Sequence, residues 1–159
     1  MEINAILSRF KQQKSGAILE KSRFGRGGAV ALWIDSRDMA GIARALAADP
    51  DLRIDWLENL SVAQLGESLV ATYVLRSRET PALLMLRSTI EAPRLGAEPA
   101  ELVSVRACWP MAAAMEDEAA ELFGLRFIDE KGQPIPIEPR LLGPGSPPYP
   151  MRKAPHGSR

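Results

Sequence analysis

Hydrophobic positions along the chain fall into several regular patterns. Ile3, Ile6, Leu7 and Phe10 recur at the spacing of one helix face, which predicts a short helix ending near Ser15-Gly16. Residues 17–21 and Ala29–Ile34 read as two strands. The segment between them, 22–28, holds Gly25, Gly27 and Gly28, which accept the positive φ of a hairpin turn. A phosphate cradle would need a helix after this loop and a third glycine in the dinucleotide fingerprint; neither is present, so a turn is the better reading. Ser36 is a good N-cap for a second helix, with Met39, Ile42, Ala43, Leu46 and Ala47 on its apolar face and Asp49-Pro50 stopping it.

Three strand-like stretches follow, at 53–60, 68–77 and 82–90, with a shorter one at 102–106. In the second of these, Leu69, Ala71, Tyr73 and Leu75 alternate with Val70, Thr72, Val74 and Arg76. Both sets are largely apolar, which predicts a central strand covered on both faces. A last helix spans 110–123. Strands in a run with helices set to one side predict an α+β fold: a mixed, mainly antiparallel sheet with helices packed on it. No internal repeat is visible.

Composition changes after Gly132, where eight of the thirteen prolines lie between Pro134 and Pro155. Such a segment is extended and poor in hydrogen-bonded structure of its own. The organisation is therefore an α+β domain at 1–130 and an extended Pro-rich tail at 131–159. Charge divides at the same place. The tail carries Lys131, Arg140, Arg152, Lys153 and Arg159 against Glu138, so it is +4, and a net charge of zero leaves −4 for the first 130 residues.

The 159 residues are 46% hydrophobic and 25% charged, ordinary values for one globular domain that needs no disulfide or metal to hold together. Zero net charge gives no reason to expect nucleic acid or an anionic membrane. Met1-Glu2-Ile3-Asn4 does not open a secretory signal, and no apolar run approaches the roughly 18 residues of a membrane span, so a cytoplasmic protein is expected. The single Cys108, between Ala107 and Trp109, reads as a buried small hydrophobe. With His156 as the only histidine, neither a structural zinc site nor an iron–sulfur cluster is expected, and no cofactor is assigned.

The candidate chemistry lies in the last helix. Pro110 suits a first helical position, and Met111, Met115, Ala119 and Leu122 form an apolar stripe. Glu116, Asp117, Glu118 and Glu121 are four acids with no base in the same helix. Asp117 and Glu121 repel at four-residue spacing, and all four lie in the half where the helix dipole disfavours negative charge. Something cationic is expected to face them: the chain's own basic tail or another protein. A solvated acidic face, a partner-docking face and a catalytic or metal-binding cluster compete as readings. The last lacks the Glu-x-x-His pairs of di-iron bundles, and no Ser or Cys has a His beside it for nucleophilic catalysis.

Ser104-Val105, Trp109-Pro110 and the run from Glu116-Asp117-Glu118 through Glu121-Leu122-Phe123-Gly124-Leu125-Arg126-Phe127 resemble the signature of the respiratory complex I 30 kDa family, a component of NADH-quinone oxidoreductases. Pro150-Met151-Arg152-Lys153 looks like that family's Pro-Leu-Arg-Lys element, and Asp55-Trp56, Tyr73–Ser77 and 83–87 follow its strand pattern more loosely. The chain departs from the pattern at Asp117, where the family has Arg, at Met115 for Trp, at Ala154 for Asp, and in lacking a His near Ile128-Asp129-Glu130.

The resemblance implies a cofactor-free subunit with no active site of its own, in the peripheral arm of a membrane-associated redox complex of the NADH dehydrogenase (quinone) type. It would pack against the large subunit of that complex, among other peripheral-arm components, and sit on the cytoplasmic face of the membrane through the complex alone. Related components of energy-converting [NiFe] hydrogenases and formate hydrogenlyases fit nearly as well, with a hydrogenase large subunit as partner. The expected partner contacts are Glu116, Glu118, Glu121 and Phe123 on the helix, with Arg152 and Lys153 anchoring the tail. A stand-alone enzyme using Glu116, Glu118 and Glu121 as acid and base is the alternative of another class.

Overall fold

The structure, a computed structural model, describes residues 18–24, 29–81, 83–93 and 98–153. The helix expected at 3–10 lies outside them, as does the centre of the 22–28 turn. The two strands flanking that turn are β1 (Ile18–Phe24) and β2 (Ala29–Ile34). They pair antiparallel with Phe24 opposite Ala29, the register of a hairpin.

A 3-10 turn (Ser36–Asp38) then leads into helix α1 (Met39–Ala48). Asp38, with no side-chain cap bond, holds the N-cap position of α1 in place of the expected Ser36, and the 3-10 turn before it is capped by Asp35. Its carboxylate accepts from Arg37 N at 3.0 Å and from the Arg37 guanidinium, which hold the carboxyl down at about 2. α1 stops at Asp49, whose side chain accepts from Asp51 N and Leu52 N and turns the chain. Because of this turn, with Arg53 at φ 47, the next strand starts later than expected: β3 is Trp56–Leu65.

Gly66, at φ 62, reverses the chain into β4 (Ser68–Arg76), and β5 (Leu83–Glu91) follows. These five strands form one sheet in the order β1-β2-β5-β4-β3, antiparallel throughout except for the parallel β2–β5 pair. β6 (Ala100–Val103), helix α2 (Ala112–Phe123) and β7 (Leu125–Ile128) complete the regular elements. The fold is α+β with a mixed, mostly antiparallel sheet, as the hydrophobic pattern predicts.

The core lies on one face of the large sheet. Leu69, Ala71, Tyr73 and Leu75 of β4 are fully buried there, together with Leu84 and Leu86 of β5 and Met39, Ile42, Ala43 and Leu46 of α1. On the other face of β4, Val70 is buried while Thr72 and Val74 are half-covered, so the strand is unequally protected. β7 is not expected from the sequence. It pairs parallel with β6, placing Leu102 beside Phe127, and both side chains are buried. Burying a side chain of that size contributes roughly 1.5–3 kcal/mol, enough to hold a four-residue strand with little intrinsic preference.

Candidate functional site

The acidic helix is positioned from its N-terminal side by Trp109. This residue is 1% exposed, and its indole N–H donates to Ile54 O at 3.0 Å, tying the approach to α2 to the start of β3. Trp109 and Pro110 form turns, with Ala112 N bonded to Trp109 O and Ala113 N to Pro110 O. The regular helix therefore opens two residues later than the position of Pro110 suggests. It packs on β3 and β7.

Three of its four acids turn inward. Glu116 is 0% exposed; its carboxylate accepts from the Ser104 hydroxyl at 2.7 Å, Val105 N at 2.9 Å and Arg106 Nε at 2.8 Å. The same guanidinium reaches Asp117 Oδ1 at 3.2 Å. Burial pushes the Glu116 carboxyl above its ordinary range, opposed by the Val105, Ser104 and Arg106 donors. The cation that the unbalanced helix demands thus comes from the chain itself, and from the turn upstream of α2.

Glu121 meets the Pro-rich tail, through the backbone and not through a basic side chain. Its carboxylate accepts from the main-chain N–H groups of Arg140 (3.0 Å), Leu141 (3.0 Å) and Leu142. Burial alone would raise its pKa, but these three donors outweigh it and the carboxyl sits below its ordinary range. Glu118 is exposed, and among the described residues it has no hydrogen bond or ion pair.

Downstream of α2 the tail closes against the helix end. Gly124, at φ 66, is the left-handed C-cap, and its N–H donates to Ala120 O. Arg152 donates from Nε to Phe123 O at 2.6 Å and from its terminal nitrogens to Pro93 O at 2.6 Å and Gly124 O at 3.3 Å. Its guanidinium lies 5.5 Å from the centre of the Tyr149 ring, which covers Gly124. Met151 N bonds to Leu122 O at 3.2 Å. Lys153 exchanges backbone hydrogen bonds with the Gln64 side chain on β3, leaving its own ammonium exposed.

A cleft of about 270 Å³ opens between α2 and β3. Leu60, Ala119 and Phe123 are buried, with half-buried Val62, Met115 and Leu122 beside them. Asn59, Ser61, Glu118 and Met151 complete the lining. Met115 and Leu122, expected to lie on the core stripe, are half-buried and face this cleft. The stripe that enters the core is Ala112, Glu116, Ala119, Ala120 and Phe123, rotated so that an acid sits within it. Cys108, expected to be buried, is only partly so, and burial pushes its thiol up.

Of the six residues expected to contact a partner, Glu118 and Phe123 meet at one cleft, Glu116 and Glu121 hold neighbouring segments in place, Arg152 fastens the tail, and Lys153 is exposed at the surface. Sequence reasoning missed Ser104 and Arg106 as partners of the acids, Gln64 as the anchor of the tail, and Met151 as a wall. Ser104-Val105 and Met151 were visible only as motif letters, without a contact to give them a role. Among the described residues no group of three or more His, Cys, Asp or Glu side chains is placed to hold a metal. Among them, too, no helix is long and apolar enough to cross a membrane.

The fold recurs among solved structures. A chain of the membrane-bound sulfane sulfur reductase, an archaeal respiratory membrane complex, superposes with a TM-score of 0.63 at 16% identity, covering 78% of this chain and 69% of that one. At that identity the likeness defines the fold. The sequence of residues 32–158 matches the family described as respiratory-chain NADH dehydrogenase, 30 Kd subunit, and the chain belongs to that family. A comparison with curated proteins returns no significant match.

Proposed function

We propose that this protein is a cofactor-free, peripheral-arm component of a membrane-associated redox complex, and that it docks on the large subunit of that complex through the α2 face. Membership of the 30 kDa family supports a place in such a complex. The observation that carries the docking face is the division of labour among the acids of α2. Glu116, Asp117 and Glu121 are spent inside the chain, while Glu118 is left open beside the apolar cleft that Phe123 lines. Glu118 and exposed Lys153 then make direct contacts. Glu116, Glu121 and Arg152 act by holding the turn, the tail and the helix end that frame them.

The rival use of these carboxylates as acid and base finds little support. Glu116 is sealed from solvent by its three donors and is not part of the cleft lining. A second reading keeps the docking role and changes the complex to a hydrogenase-like one; the fold shared with a chain of a sulfane sulfur reductase shows only that this fold also occurs in a respiratory membrane complex of another name. In either case, the tagged full-length chain, purified from its native host in mild detergent, should bring down a large-subunit homologue in equimolar amount. Nickel-binding cysteines in that partner would select the hydrogenase branch. A chain that emerges alone, or with stoichiometric flavin or iron of its own, overturns the proposal.

A further inference from the structure

The cleft between α2 and β3 has a shape and a charge that specify what enters it. Its volume, about 270 Å³, lies just below the range of roughly 300–1,000 Å³ typical of small-molecule and cofactor sites. It is lined by buried Leu60, Ala119 and Phe123, and half-buried Val62, Met115 and Leu122 border it. Methionine is unbranched and polarisable, and it adapts to an incoming group better than a β-branched wall does. Among the described residues that line it, Glu118 carries the only formal charge. Glu118 is also the one acid of α2 that no described donor satisfies.

We propose that the cleft receives one large apolar side chain of the large subunit, and that a lysine or arginine of the same partner segment pairs with Glu118. This rests on the docking role argued above and names the chemistry of the docking segment. A long basic side chain suits the rim because its methylene stem lies along Met115 and Leu122 while its head reaches the carboxylate. The site is built in part by the tail. Met151 is a wall of the cleft, and it is held there by its N–H on Leu122 O and by the Arg152 bonds to Phe123 O and Gly124 O. The Pro-rich tail therefore completes the pocket that the partner enters.

The test uses the whole chain in its assembled complex, with a photo-reactive benzoylphenylalanine at position 62. The expected cross-link falls on the large subunit, within a peptide holding a Leu, Ile, Met or Phe no more than about four residues from a Lys or Arg. Val62→Trp, which fills the cleft, and Glu118→Lys, which reverses its charge, should each weaken assembly at least ~tenfold. Thr89→Trp, at an exposed position on β5, should leave it unchanged. An acid placed at the cross-linked partner cation should restore binding to Glu118→Lys alone. A cross-link to residues 1–17 or 154–159 of the same chain, or to a second copy, overturns the proposal. So does wild-type assembly by Val62→Trp with an unchanged melting temperature, and the docking role survives that result. Failure of the wild-type chain to assemble removes the docking role and the proposal together.

Discussion

Glu116 shows how one residue converts an unfavourable charge pattern into structure. A buried carboxylate is costly unless its oxygens are bonded, and here the Ser104 hydroxyl, Val105 N–H and Arg106 Nε occupy both. Glu116→Ala removes the acceptor and leaves those donors facing a small cavity. Because Arg106 is partly exposed and recovers some hydration, the expected loss is about 2–3 kcal/mol rather than the larger value of a fully buried pair. Glu116→Gln keeps the shape and one acceptor and should cost about half as much. Thermal or urea unfolding of both variants checks the order; equal losses would mean that the charge on Glu116 carries the whole effect and that the retained shape and acceptor add nothing.

The two inward carboxylates also respond to acid in opposite ways. Glu116, raised above its ordinary range by burial, contributes stability that is complete below that range and lost as pH rises through its folded value. Glu121, held low by the three tail N–H groups against its burial, contributes stability that is present above the ordinary range and lost as pH falls through its folded value. Carbon-detected NMR titration of the side-chain carboxyls should therefore place the Glu116 midpoint above the ordinary glutamate range and the Glu121 midpoint below it. The reverse shift for either residue would contradict the hydrogen bonding described.

At the scale of elements, the C-terminus of α2 joins three parts of the chain at one glycine. Gly124 is left-handed, which alone disfavours any other residue by about 1 kcal/mol. In addition, a Cβ there would lie 2.8 Å from the Tyr149 ring, the same ring over which Arg152 sits. Gly124→Ala should thus destabilise by about 2–3 kcal/mol, more than the backbone term. Tyr149→Ala gives the ring's own share. The double variant should lose less than the sum of the two single ones, because the clash vanishes with the ring. Strict additivity in a double-mutant cycle would show that Tyr149 does not rest on Gly124 in solution.

The same scale explains what the sequence reveals and what it hides. Strands β2, β4 and β5 are legible because period-2 alternation is a local property, and a β4 apolar on both sets of positions does lie inside the sheet. β7 is not legible, since Leu125 and Phe127 become a strand only by pairing with β6, across an intervening helix. Helix α2 is recognisable, but its rotation is not. Hydrophobic periodicity assigns acids to the solvent side, and it cannot see that Ser104, Val105 and Arg106 wait in the preceding turn to receive one of them. The motif letters common to the family mark the right segment without indicating which acids face inward.

For the whole molecule, the decisive matter is whether the Pro-rich tail is a separate appendage or part of the domain. By composition it divides from the rest after residue 130, and most of it is exposed. Its attachments nonetheless run around α2. Ile135 N bonds to Phe127 O, the N–H groups of Arg140, Leu141 and Leu142 occupy Glu121, and Met151 and Arg152 hold the helix end. Lys153 then reaches Gln64 on β3, so the strap closes between helix and sheet. Each such bond adds little alone, but removing the tail strips a buried carboxylate and a helix C-terminus of their partners together. A chain ended after Glu130 should therefore keep its strand and helix content by circular dichroism and melt at least ~5 °C lower. It should also lose the Met151 wall, and with it the binding that Glu118 shares. Adding the 131–159 peptide in trans would not restore the melting point at micromolar concentration, because several weak bonds hold the strap only while covalent linkage keeps its effective concentration in the millimolar range. An unchanged melting point after truncation would instead make the tail an appendage, free to order itself on the partner surface.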